Sequence, residues 1–151
     1  MTARNTTQLQ VQQLIESQLY YAQSLEALLH SEYQALLESD VESLLEVVAL
    51  KMGAAESLER TSSELQHAVG GTPQDVERHL GTDSAACWQQ LGDTADRLRH
   101  QNLRNGAVLN ERQNRLEWVA NRARGEAPAV YSAQPRHVFG SGLSGRTIAR
   151  V

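Results

Sequence analysis

Residues 88–123 read WQQLGDTADRLRHQNLRNGAVLNERQNRLEWVANRA. Alternating steps of three and four pick out Trp88, Leu91, Ala95, Leu98, Asn102, Asn105, Leu109, Arg112, Leu116, Val119 and Ala123. This is a heptad seam of about five repeats, the pattern of a long helix that packs lengthwise on other helices. Eight of the eleven positions are apolar, and the polar ones gather at Asn102, Asn105 and Arg112, with Gly106 among them. A polar centre weakens a seam that apolar residues would continue, so it needs a reason. Two are open: buried amides can fix the register of a helical seam, or they can form a site that a partner touches.

Working outward, the same period recurs upstream. Val11, Ile15, Leu19, Ala22, Leu25, Leu29, Tyr33 and Leu36 predict a first long helix from about Thr6 or Thr7, behind a polar, frayed start. Ser39 and Glu42 have capping-box spacing and predict a tight turn into a second helix. That helix carries Val41, Leu44 or Leu45, Val48, Met52, Ala55, Leu58, Ser62 and Leu65 on one side and ends before Gly70-Gly71. Thr72-Pro73 supplies a cap and a first-turn proline for a short helix to about Leu80. Thr82 or Asp83 then caps the third long helix, which runs to about Arg124, a rod of roughly 60 Å at about 1.5 Å per residue. The expected fold is all-α, an elongated antiparallel bundle of three long helices with one short extra helix. Residues 1–125 form this domain. Residues 126–151 lose the period, gain Gly, Ser and Pro, and read as a flexible tail with Val130, Tyr131, Val138, Phe139 and Ile148 spaced along it.

Composition agrees with a helical protein: 40% hydrophobic but only 5% aromatic, with 3 Pro and 10 Gly kept mostly to the connections and the tail. Residues 1–96 carry 15 acidic and 4 basic side chains and residues 97–151 carry 3 and 10, so the net charge of -4 conceals two opposed parts. The arginines alternate around a helix that must lie against acidic neighbours, and they lack the clustering and interleaved aromatics of a nucleic-acid site. No nucleic-acid partner is expected. The start, Met1 to Gln10, has no apolar signal core, and the aliphatic run Val47 to Leu50 is far too short to span a bilayer. Cys87, the sole cysteine, allows no internal disulfide. The expected setting is the cytoplasm, without membrane insertion.

Enzyme readings lack their context. Gly140-Ser141-Gly142-Leu143-Ser144-Gly145 has the spacing of a dinucleotide loop but neither the strand nor the helix that loop requires. Glu64 and His67 have the spacing of a di-iron motif, which needs a second copy and two further carboxylates. Cys87 beside Trp88 suits packing better than nucleophilic chemistry. We expect no catalysis, no metal and no cofactor.

The segment Leu98 to Leu109, with Asn102, Asn105, Gly106 and Leu109, resembles the N-x-x-N-G-x-x-L signature of FlgN-type flagellar export chaperones. The junction from Glu32 to Leu44, with Lys51, suits that family, as does the ending Ser144 to Ile148. Val130 to Pro135 resembles the family's Y-G-A-D-G segment but departs from it at Ser132 and Pro135. The resemblance implies a cytoplasmic chaperone, with no enzymatic activity, for the hook-filament junction proteins of FlgK and FlgL type. It would bind their C-terminal helices and deliver them to the cytosolic domain of the type III export gate.

A client helix would complete the third helix, with Leu98, Asn102, Asn105, Gly106, Val108, Leu109, Leu116 and Val119 as its contacts. Tyr131, an isolated aromatic between Pro128 and Pro135, would be the docking residue for the gate. The alternative is a structural coiled coil or adaptor bundle without a client, whose heptads serve only self-association. The seam admits either a monomer or a homodimer in the free state.

Overall fold

The computed structural model describes residues 2–125. Its elements are α1 (Thr2–Glu38), α2 (Val41–Val69), α3 (Pro73–Arg78) and α4 (Thr82–Ala123), with no strand among the described residues. The expected all-α bundle of three long helices and one short one is present. The tail, with Tyr131 and the glycine-rich Gly140–Gly145 run, lies outside the described residues.

Helix α1 begins earlier than its apolar stripe, at Thr2. Its end also departs from the expected capping box. Ser39 adopts φ 60, a left-handed conformation that closes α1, and the Asp40 amide donates to the Ala35 carbonyl at 3.0 Å. The extended residue that opens α2 is therefore Asp40, one position later. Its carboxylate accepts from the Ser43 amide at 3.1 Å and from the Ser43 hydroxyl at 2.6 Å. These bonds hold the Asp40 carboxyl below its ordinary pKa, the hydroxyl bond being the larger cause.

At the other end, Gly70 at φ 94 caps α2, a backbone state that glycine enters without a Cβ penalty. Thr72 caps α3 as expected, in a capping box with Asp75. The Thr72 hydroxyl is likewise the leading cause that lowers the Asp75 pKa. Neither Thr82 nor Asp83 caps α4; that place is taken by Gly81, without a side-chain hydrogen bond.

Helix α1 is the central element, packing on both α2 and α4. The α1–α2 pair is antiparallel: Gln18 donates to the Thr61 carbonyl at 3.1 Å, while Glu32 meets Lys51 farther along. The α1–α4 pair is parallel. Arg97 meets Glu26, Asn105 meets Leu29 and Glu32, and Arg112 meets Leu37 and Ser39, at separations that stay between 71 and 76 residues.

Two apolar clusters hold this arrangement. One joins Ala22, Leu25 and Leu29 to Leu58, Leu91 and Leu98. The other joins Val11 and Ile15 to Leu65, Val69 and Val76, so that α3 closes the end of the bundle. Half-buried Trp88 packs on both, and Cys87 packs on the second. Each fully buried Leu, Ile or Val contributes about 1.5–3 kcal/mol. The packing is uneven along the axis. No residue of α2 before Leu58 is buried, nor any residue of α4 after Asn105.

Candidate functional site

The polar centre of the α4 seam meets charged residues from both other long helices. Glu32 is buried on α1, and both of its carboxylate oxygens accept from the Lys51 ammonium on α2, at 3.0 and 3.3 Å. Lys51 also donates to Asn102 Oδ1 at 3.3 Å. Asn105, only 2% exposed, donates through Nδ2 to the Leu29 carbonyl at 2.7 Å and to Glu32 Oε2 at 3.2 Å.

One carboxylate, one ammonium and two amides thus join all three long helices at a single level. Burying these charges costs several kcal/mol in desolvation, and that cost is offset only when partners align. A register slip would leave Glu32 or Lys51 unpaired, so the network disfavours every alignment but this one. Asn105 Oδ1 has no hydrogen-bond partner among the described residues, a further sign that apolar packing has been given up at this level.

Toward the α1–α2 turn, α4 holds on by its arginines. Arg104 stacks over the Tyr33 ring, 3.8 Å from its centroid. Arg112 donates to the Leu37 carbonyl at 2.8 Å and to the Ser39 hydroxyl at 2.5 Å. Helix α1 has no basic residue in its own last turn, and Arg112 brings a cation to that negative end from α4.

Beyond Arg112 there is no more of α1 to pack on. Residues 113–123 of α4 continue for about 16 Å at about 1.5 Å per residue. Leu116 is 71% exposed there, and Trp118 and Val119 are exposed beside it. The heptad seam therefore outruns the helices that could cover it.

The eight expected contact residues divide along this helix. Leu98 lies in an apolar cluster, Asn105 is buried against α1, and Asn102 is tied to Lys51. Val108 and Leu109 are half-buried, while Leu116 and Val119 are exposed. Gly106 is exposed, and a Cβ built on it would meet nothing within 4 Å. Asn102, Gly106, Leu109 and Leu116 form one row at helical spacing, running from half-buried Asn102 past exposed Gly106 and half-buried Leu109 to exposed Leu116.

Glu32 and Lys51 were not separable as anchors in the sequence. The available signals were their place in the junction that resembles the family and the fact that Lys51 is the sole lysine of the chain, in an apolar stretch of α2. The apolar positions expected on one side of the second helix are exposed in its first half, at Val41, Leu45 and Met52.

Comparison with known protein families finds a match to the FlgN protein family over residues 1–132. The chain belongs to the FlgN family. It is thereby a member of a family of flagellar export chaperones, helical proteins without known enzymatic activity. The matched span covers all four helices of this FlgN-family chain and continues past Gly125 to take in Tyr131. No curated protein and no solved structure matches it. Among its described residues, no helix is long and apolar enough to cross a membrane.

Proposed function

We propose that this FlgN-family protein is the cytoplasmic chaperone of hook-filament junction proteins of FlgK and FlgL type, and that it receives their C-terminal helix along the distal half of α4. The observation that carries this reading is the overhang: Leu116 and Val119 continue a core seam at the correct spacing, yet no helix of the bundle covers them. An amphipathic client helix laid along that row would bury what the fold leaves open. Val108, Leu109, Leu116 and Val119 are its apolar contacts, and Gly106 lets its backbone approach closely. Leu98, Asn102 and Asn105 act from beneath, by holding α4 in register.

Delivery is assigned to Tyr131, which would dock on the cytosolic domain of the export gate. Support comes from its place within the matched family span and from its sequence setting, a single aromatic between Pro128 and Pro135. Co-expression with a junction protein tests the client half: the two are expected to co-purify, and Leu116→Asp is expected to separate them. Secretion tests the gate half. Tyr131→Ala should leave client binding intact and reduce both gate binding and junction-protein secretion. Normal secretion by that variant would remove Tyr131 from the site.

A further inference from the structure

The first half of α2 carries a second uncovered surface. Val41, Leu45, Val48 and Met52 recur at steps of four, three and four, one stripe of a helix. Val48 is half-buried, but Val41, Leu45 and Met52 are 66%, 67% and 61% exposed. Exposed Leu37, at the end of α1, adds to the apolar surface around the turn. A contiguous apolar surface of this kind marks a contact.

Its charge identifies the occupant. Glu38, Glu42 and Glu46 are exposed around the stripe and take part in no ion pair among the described residues. Lys51, the one cation of this half of α2, is committed to Glu32 and Asn102. Arg112, which reaches the turn from α4, is committed to Leu37 and Ser39. The surface therefore suits a short segment that is both apolar and basic. Residues 126–151 contain Arg136, Arg146 and Arg150 against Glu126 alone, and Arg136-His137-Val138-Phe139 sets a cation beside two adjacent large apolar side chains.

Geometry brings that segment within range. Because α4 runs parallel to α1, it ends on the same side as the α1–α2 turn, and Gly125 at φ 73 closes it in a left-handed conformation. The path back past the overhang and onto Leu45 is about 30 Å, summing helix rise and one interhelical spacing. The chain from Gly125 to Arg136 spans about 36 Å when extended. The competing apolar surface, the α4 overhang, has Arg115 paired with Glu111 and carries Arg122 and Arg124 against Glu117, a net positive rim that favours a basic segment less than the acidic α2 stripe does.

We propose that in the free protein the segment Arg136-His137-Val138-Phe139 folds back onto the first half of α2, seating Val138 and Phe139 on the Val41, Leu45 and Met52 stripe and Arg136 beside Glu42 and Glu46. This contact does not depend on the client or the gate.

Disulfide closure in the full chain tests it. In a Cys87→Ala background at micromolar concentration, the pair Ala49→Cys with Gly140→Cys is expected to close within one chain at least about tenfold faster than Glu64→Cys with Gly140→Cys, as a raised effective concentration requires. Adding Phe139→Ser, or Glu42→Lys with Glu46→Lys, should lower the rate to that of the Glu64 pair while circular dichroism shows unchanged helix. Equal closure rates for the two pairs would overturn the proposal. So would a fast Ala49 pair indifferent to those substitutions, or a disulfide that links two chains and so gives the stripe to a second copy.

Discussion

Asn105 of α4 and Glu32 of α1 meet inside the bundle, with Nδ2 donating to Oε2 at 3.2 Å while the same nitrogen donates to the Leu29 carbonyl at 2.7 Å. Truncation to Asn105→Ala leaves that carbonyl and part of a buried carboxylate without their donor. The expected cost is about 1–3 kcal/mol, read as a lower urea midpoint. An unchanged midpoint would return Asn105 to the role of a contact made only by a partner.

Leucines of one seam are expected to behave in opposite ways. Leu98→Asp places an unpaired charge in the core and should cost about 3 kcal/mol or more. Leu116→Asp lies on the overhang and should change stability by no more than about 0.5 kcal/mol, while abolishing client binding. Thermal melts paired with a pull-down of the client separate the two effects.

Gly106 gives a prediction in which stability and binding move apart. A glycine inside an exposed helix is less favourable than alanine by about 0.8–1 kcal/mol, and the added Cβ would meet nothing in the free protein. Gly106→Ala should therefore raise the melting temperature and weaken the client complex. A stabilised variant that binds as well as the native protein would place the client elsewhere.

The caps predict a response to acid. The carboxyls of Asp40 and Asp75 have folded pKa values below their ordinary ones, through hydrogen bonds from Ser43 and Thr72 respectively. A group depressed on folding stabilises above its unfolded pKa and loses that contribution as pH falls through the folded one. Both contributions should be constant from neutral pH down to about 5 and decline below about 4. In urea titrations at stepped pH, Asp40→Asn and Asp75→Asn should each lower the midpoint above pH 5 and flatten the acid limb, so that variant and native chain converge as the pH falls.

The long helices were legible because their apolar period persists for tens of residues, and Thr72-Pro73 because its cap chemistry is local. The α2 cap was harder to place. Ser39 and Asp40 can both cap a helix, and the choice depends on which one adopts the left-handed turn, with Arg112 bonded to Ser39 from a distant helix. The Glu32–Lys51 pair was hidden for a similar reason: its members sit 19 residues apart on antiparallel helices, a distance no helical period connects. The seam to Val119 could be read, but whether it was covered could not. That depended on α1 ending level with Arg112, a property of the parallel α1–α4 register.

The central claim is that the uncovered end of α4 receives a client helix. Calorimetric titration of the full chain with the C-terminal helical segment of a junction protein tests it most directly, run beside Leu116→Asp and Val119→Asp variants that melt like the native protein. The account predicts saturable binding by the native chain with a negative heat-capacity change from buried apolar surface, and none by either variant. Equal binding by all three, or no binding by the native chain, would contradict it.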